Sequence, residues 1–516
     1  MADVVSIGLD GAAWHKLDRL IADGRLPNLA ALTDAGARAQ LRSVTPPVTC
    51  PAWRCSTSGK NPGKLGVYWW LNLDRDRGEI VSPDATSFPT ADVWDYLGED
   101  GYRCAALNVP MTYPPSEING TMVSGFGAAF DLNEDHERPL TYPPPFEDEL
   151  VEKYDWETQV DDVTTREGLE AAYEMIRSRF ELLSDTLEAD YDYVHLTVFA
   201  VNALQHKYGD GEETARAWEL IDDRLGRIDT EETLLVLYSD HGHSRIDHTF
   251  AVNRWLLDNG YLSLSADASA GSSLGTALSE KAYTTLESLG ISPKQASVYA
   301  RRILPSPLYD AIVPASFPIS SAELASEVDW SETDALAFSQ GPLYLNRRRL
   351  GDRYEAVREE LRRELSDLTH RGSTVLSDVR PAEAVYDGPF VADAPDLLLS
   401  SSEGWEIYGG ITPSPFESQV MSWTSGNHPL GVLLLNGPGV EQGELSECSI
   451  LDVAPTVLSY LDSPIPTDMD GSPLETAFSD GTLSVTERDP IEVESTRGNA
   501  VEDGLRDQLE DLGYLE

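Results

Sequence analysis

The sequence predicts an α/β fold in which a mostly parallel central sheet is covered on both faces by helices and interrupted by an inserted cap. Three observations predict it. Short, mainly apolar runs ending at polar residues recur at 4–9, 104–109, 193–199, 234–238 and 432–435, and such runs read as strands buried on both faces. Segments with apolar residues at helical spacing lie between them, the alternation that builds parallel sheets. Hydrophobic residues make up 41% of the 516, enough for a large core and too many for wholesale disorder.

The first run, Val4-Val5-Ser6-Ile7-Gly8-Leu9, ends at Asp10-Gly11. No basic or signal-length apolar stretch precedes it, and no window approaches the roughly 20 apolar residues of a membrane span, so a soluble cytoplasmic protein is expected. A helix is predicted over 27–32, opened by Pro27 and closed near Gly36. Pro46-Pro47-Val48-Thr49-Cys50-Pro51 predicts a tight turn before a helix. Residues 128–165 are rich in Asp, Glu and Pro and are expected to form loops over one edge. A long helix is predicted at 166–187, and a shorter one at 222–228 leads into the run that ends at Ser239-Asp240-His241-Gly242.

Residues 263–335 begin Ser/Ala/Gly-rich and then turn helical, the pattern of an inserted cap. The expected organisation is therefore a discontinuous α/β domain, 1–262 and 336–475, interrupted by that cap. An acidic C-terminal tail, 476–516, follows, with a short amphipathic helix at 505–515.

The formal net charge is −50, and only seven of the 38 basic residues are lysine. An acidic chain lacks the basic face that nucleic acid or an anionic membrane requires. The carboxylates are spread along the chain and not gathered in one tail, which points to a halophilic, salt-adapted surface. Cys50, Cys55, Cys104 and Cys448 are too few and too scattered for a disulfide framework, and no CxxC pair suggests a structural zinc.

In a parallel α/β sheet, ligands bind beyond the carboxyl ends of the strands. Asp10 lies at the end of the first run, Asn202 is expected in the turn beyond the 193–199 run with His206 following it, and Asp240-His241 come after the 234–238 run. His428 stands just before the 432–435 run. Together these are oxygen and nitrogen donors suited to zinc-like ions. Thr49, in a turn before a helix, can present its hydroxyl beside a metal as a nucleophile, or serve simply as an N-cap. Asn108, at the end of the 104–109 run, can meet a phosphoryl oxygen or form a turn. His243 and His248 could contact substrate, but local hydrogen bonding in a loop is the expected role. The Gly59 to Lys64 stretch does not fit GxxxxGK[ST], so a P-loop is excluded.

The order of these motifs resembles the alkaline phosphatase superfamily, and within it the type I phosphodiesterase/nucleotide pyrophosphatase branch, in a haloarchaeal-like form. The resemblance runs over residues 1–475. It rests on Asp10, Leu26-Pro27-Asn28-Leu29, Thr49-Cys50-Pro51-Ala52-Trp53 with Ser58-Gly59, and Val109-Pro110-Met111-Thr112-Tyr113-Pro114-Pro115. Ser239-Asp240-His241-Gly242, Asn253-Arg254-Trp255-Leu256, Val328-Asp329-Trp330, Ala394-Pro395-Asp396, Gly426-Asn427-His428 and Asp470-Gly471 complete it.

It implies an alkaline-phosphatase-like three-layer sandwich and two divalent metal ions, usually Zn²⁺ and alternatively Mn²⁺. Asp10, Thr49, Asp240 and His241 resemble the ligands of one metal, with Thr49 also the nucleophile. His206 and His428 resemble ligands of the other, whose third ligand is usually an Asp where this chain has Asn202. Leu65 stands where relatives commonly show His. The implied activity is hydrolysis of a phosphoric diester, with a small phosphodiester or nucleotide-type molecule as substrate. The alternatives are a catalytically impaired metal- or phosphate-binding member of the fold and a phosphomutase or phosphotransferase. A sulfatase would need Cys or Ser in place of Thr49 and Arg in place of Trp53.

Overall fold

The computed structural model describes residues 2–75, 79–127, 138–158, 162–265, 327–418 and 423–493, together with Leu324 and Val420. Most of the expected cap, 266–323, and the expected amphipathic piece at 505–515 lie outside the described residues. The chain divides into two compact units, one built on Met1–Ile246, Pro381–Ala394 and Ser422–Gly513, the other on Asp247–Arg380 and Pro395–Met421. Among the described residues no helix is long and apolar enough to cross a membrane.

The first unit holds a ten-stranded sheet. Its centre is parallel: Leu234–Tyr238, Val4–Leu9, Tyr193–Val198, Cys104–Val109 and Gly120–Ser124 lie side by side in that order. Val4–Leu9 and Cys104–Val109 are buried at every position, as are Tyr193–Val198 and Leu234–Tyr238. The register aligns Leu9 with Val198 and Gly8 with Tyr238. Residues that follow these strands therefore emerge together at one edge, with neighbouring strands about 4.8 Å apart.

Leu430–Asn436, also buried nearly throughout, runs antiparallel to Leu234–Tyr238 and to Ala37–Arg42. The cause is the preceding strand, Ser425–His428, which pairs antiparallel with Gly242–Arg245 so that Gly242 faces His428. The chain thus enters Leu430–Asn436 at the edge where Leu234–Tyr238 leaves. Burial on two faces fixes apolarity and leaves strand direction open.

Helices cover the sheet. Arg166–Glu188 begins at Thr165, whose hydroxyl accepts the Gly168 N–H. Pro27–Ala35 begins with proline in its first turn and stops at Gly36. The helix expected at 222–228 spans Glu212–Leu225 and ends at Gly226. Within the stretch read as loops, Thr141–Tyr142 adds a strand to the sheet edge and Phe146–Tyr154 is a helix. Phe146, Leu150 and Tyr154 are four residues apart, and the last two are buried, so helical periodicity prevails there over an acidic composition.

The second unit contains a four-stranded sheet that includes Ala335–Ala337, Pro342–Leu345 and Leu397–Ser401. A three-stranded sheet places His248–Ala251 between Trp405–Tyr408 and Phe416–Glu417.

Candidate active site

Thr49 is the first residue of the ten-residue helix Thr49–Ser58, all of whose residues are buried. The N-cap is Val48, in extended conformation, so the hydroxyl of Thr49 does not cap the helix. Pro51 falls in the first turn, where its missing N–H costs nothing. Thr49 Oγ1 lies 3.2 Å from His241 Nε2.

One turn further along the same face, Trp53 Nε1 donates to Asp10 Oδ2 at 2.9 Å. The indole lies so close to the first strand that a Cβ at Gly8 would stand 2.3 Å from Trp53 Cη2. Gly8 is therefore what lets the helix seat Trp53 against Asp10. The ring also meets Tyr238 edge-on, with centroids 5.4 Å apart.

Asp10 and Asp240 follow neighbouring parallel strands, and both are fully buried. Asp240 Oδ1 accepts the Gly11 N–H at 3.1 Å. His241 Nδ1 lies 2.9 Å from the Gly242 carbonyl oxygen. That contact requires the proton on Nδ1 and leaves Nε2 as the lone-pair nitrogen. Nε2 stands 3.3 Å from Asp240 Oδ2 and 3.7 Å from Asp10 Oδ1. Ligand atoms of Asp10, Asp240 and His241 all lie within 4.8 Å of one another, the one such group of three His, Cys or carboxylate donors among the described residues.

Asp10 Oδ1 and Asp240 Oδ2 are buried without a hydrogen-bond partner. Burial, then the neighbouring Asp240, holds the Asp10 carboxyl well above the usual range, against the opposing effect of the Trp53 N–H. Burial raises Asp240 too, opposed by His241 and the Gly11 N–H. Two buried carboxylates side by side disfavour ionisation, and a cation between them reverses that preference.

The donor set fits a divalent cation: two carboxylate oxygens and an imidazole nitrogen lie within 4.8 Å of one another, and the Thr49 hydroxyl is 3.2 Å from that nitrogen. Zn²⁺ and Mn²⁺ suit this mixture of oxygen and nitrogen.

Asn202 lies in the first turn of a helix, Ala200–Tyr208, and not in the open turn that the strand end suggested. Four residues separate Asn202 from His206, which places both on one buried face. His206 Nδ1 lies 2.9 Å from the Ser425 carbonyl oxygen, and its ring stacks on Trp423 with centroids 3.7 Å apart. Burial holds His206 and His243 well below the ordinary histidine range, as neutral imidazoles.

Asn202 Oδ1 lies 2.7 Å from His243 Nε2. His243 Nδ1 in turn lies 3.0 Å from Ser425 Oγ, which accepts from Lys16 Nζ at 3.0 Å. His428, half-buried at the end of its strand, accepts the Leu430 N–H through Nδ1 at 3.2 Å. Asn108 has left-handed backbone (φ 59°), and its Nδ2 donates to the Thr197 carbonyl at 2.8 Å, bracing the neighbouring strand.

Sequence reasoning passed over Trp53, Lys16 and Ser425 and set His243 aside. The four-residue spacing of Thr49 and Trp53 was the signal for the first. Nothing local marks the other three, which meet only through tertiary contacts.

The family model for type I phosphodiesterase / nucleotide pyrophosphatase matches residues 4–429. No curated protein sequence matches the chain. Among solved structures, murine ectonucleotide pyrophosphatase / phosphodiesterase 5 is 12% identical, with 92% of this chain and 100% of that chain covered and a TM-score of 0.51. An inactive threonine-to-alanine form of that murine protein, in complex with AMP, is likewise 12% identical, with 93% and 100% covered and a TM-score of 0.51. Phosphonoacetate hydrolase from Sinorhizobium meliloti 1021, in complex with phosphonoformate, is 15% identical, with 88% and 94% covered and a TM-score of 0.53. At these identities the structural likeness establishes the fold.

Proposed function

The chain belongs to the type I phosphodiesterase / nucleotide pyrophosphatase family of the alkaline phosphatase superfamily, and from that premise we propose that it hydrolyses small phosphoric diesters with Thr49 as nucleophile. The observation that carries this reading is the pair of buried, unpartnered oxygens, Asp10 Oδ1 and Asp240 Oδ2, beside His241 Nε2 and the Thr49 hydroxyl. Burying carboxylate oxygens without a partner is costly unless a cation completes the site.

Asp10, Thr49, Asp240 and His241 would hold that cation. When bound, it would lower the pKa of the Thr49 hydroxyl and neutralise charge on a phosphoryl oxygen. Position at the helix N-terminus lets the first-turn N–H groups receive another phosphoryl oxygen. Attack by Thr49 Oγ forms the O–P bond as the bond to the leaving alkoxide breaks. Water then cleaves the threonyl phosphodiester that remains, which still carries the second ester group, releasing the phosphate monoester and restoring the hydroxyl. Trp53 keeps Asp10 Oδ2 occupied, so that Oδ1 stays turned toward the centre.

Nucleotide-type diesters are the favoured substrate class, given the family and the AMP complex of a structural neighbour. The dispersed charge of −50 supports work at high salt in a cytoplasm. One observation favours the impaired alternative, a metal-binding member without turnover: Asn202 is bonded to His243.

Release of p-nitrophenolate from bis(p-nitrophenyl) phosphate, in molar KCl with Zn²⁺ or Mn²⁺, decides between them. Activity abolished by chelation and by Thr49→Ala is expected. A Thr49→Ala protein with a near-normal rate would falsify the assignment.

A further inference from the structure

Family resemblance implies a second cation near His206 and His428, and the side chains around those residues do not fit one. Among the described residues, no group of three His, Cys or carboxylate donors forms there, and His206, His243 and His428 do not make such a triad. The position that would carry a charged ligand is the neutral Asn202, and its amide is engaged by His243 Nε2 at 2.7 Å. The amide oxygen can only accept, so His243 Nε2 carries the proton and donates, and Asn202 Oδ1 spends on it a lone pair that would otherwise face a cation.

His243 also takes up room. Its ring centroid is 4.4 Å from that of His206 and 5.8 Å from that of His241. It presses so closely on the backbone after Asp10 that a Cβ at Gly11 would stand 2.4 Å from His243 Cδ2. Metals in two-metal sites lie about 3.5–4 Å apart, and here an imidazole packs against the loop that carries Asp10.

A positive charge is already present in this cluster. Lys16, with a side chain only 8% exposed, donates to Ser425 Oγ at 3.0 Å and has Asp210 at 3.6 Å on its outer side. Ser425 Oγ stands 3.0 Å from His243 Nδ1 and 2.9 Å from the Ser244 carbonyl, so it links the ammonium to the His243–Asn202 pair.

We propose that this chain is a one-metal member of its family, in which the Lys16–Ser425–His243–Asn202 network takes the place of the second cation. Lys16 supplies the fixed positive charge that the second metal would have brought. It acts as a positioning residue through Ser425 and His243, and its charge opposes entry of a further divalent ion. His206 remains a neutral imidazole, and among the described residues no carboxylate joins it and His428 in a metal-binding triad.

The inference rests on the proposed metal centre at Asp10, Asp240 and His241, and metal stoichiometry separates the two. Full-length protein stripped with chelator is titrated with Zn²⁺ by calorimetry, and bound metal is counted by native mass spectrometry. One tight equivalent, lost in Asp10→Asn, is expected. The double variant Asn202→Asp/His243→Met, which restores a carboxylate and removes its partner, is expected to gain a second equivalent. Lys16→Met should strengthen binding of a second Zn²⁺ to the double variant tenfold or more, and Lys16→Arg should not.

Two tight equivalents in the wild type, one of them lost in His206→Ala, overturn the inference and leave the proposed function standing. A folded double variant, with wild-type near-ultraviolet circular dichroism, that still binds one equivalent also overturns it. No tight binding at all removes the metal centre and the inference with it.

Discussion

At Asp10, Asp240 and His241, each side chain spends one polar atom on a hydrogen bond directed away from the common point and keeps the other turned toward it. Asp10 gives Oδ2 to Trp53, Asp240 gives Oδ1 to the Gly11 N–H, and His241 gives Nδ1 to the Gly242 carbonyl. At Asn202, His243 and Ser425 the bonds run between the side chains themselves and end on the Lys16 ammonium. Both clusters are buried, and both are built from residue types that bind metals. They differ in which atoms remain after the protein has satisfied itself. Leftover acceptors converging on one point make a cation site, whereas a closed hydrogen-bond chain makes a rigid wall.

The largest test of that contrast is removal of the nucleophile. Thr49→Ala should lower turnover of a phosphodiester by about 10³-fold or more, since loss of a covalent nucleophile leaves only binding and electrostatic effects. Thr49→Ser should keep a measurable fraction of the rate. Rates equal to wild type in the Ala variant would place the chemistry elsewhere and break the comparison at its first member.

Next in size is Trp53→Phe. It deletes the N–H that holds Asp10 Oδ2 and leaves the aromatic contact with Tyr238. Partners that orient a ligand typically contribute about 10–100-fold to metal affinity, so Zn²⁺ should bind more weakly by roughly that factor. An unchanged dissociation constant would show that Asp10 is oriented without Trp53.

Much of this layout was legible in the sequence, and the illegible parts share a cause. Asp10 and Asp240 could be placed at one edge because each closely follows a mainly apolar run, and parallel strands bring their carboxyl ends together. The direction of Leu430–Asn436 could not be read, because it is set by the antiparallel pairing of Gly242–Arg245 with Ser425–His428. Asn202 looked like a turn residue because the strand before it ends at Val198, yet the helix starts at once, at Ala200. The His243–Asn202 contact spans 41 residues, and the Lys16–Ser425 contact 409. Side-chain pairs of that separation leave no periodic trace, so residue identity suggested donors and only the fold showed which donors were already taken.

A smaller effect concerns stability without metal. The Asp10 and Asp240 carboxyls are raised in the folded chain relative to their ordinary value of 3.8. The folded state therefore holds protons that the unfolded state releases. The pair's contribution to stability is full below 3.8 and is lost as pH rises through the raised folded values. Asp10→Asn removes one member of the pair. At pH 8 without metal, the variant should melt above wild type, and below pH 4 the difference should vanish. Added Zn²⁺ should raise the wild-type melting temperature and leave the variant unmoved. A variant less stable than wild type at pH 8 would contradict the picture of two uncompensated carboxylates.

Salt provides the smallest difference and separates interior from surface. The net charge of −50 is carried by carboxylates spread over the whole chain, and the Debye length falls from about 10 Å at 0.1 M to about 3 Å at 1 M. The metal-free melting temperature of wild type should therefore climb from low salt to molar KCl as that repulsion is screened. Asp10 and Asp240 are fully buried, and screening acts weakly on charges that solvent ions cannot approach. Wild type and Asp10→Asn should thus rise together, and the gap between them at pH 8 should stay constant across the series. A gap that closes as salt rises would mean that ions reach the pair, and that the carboxylates are compensated from solution and not by a specific cation. A gap that persists while both curves climb assigns the salt dependence to the surface and the unfinished coordination to the buried cluster.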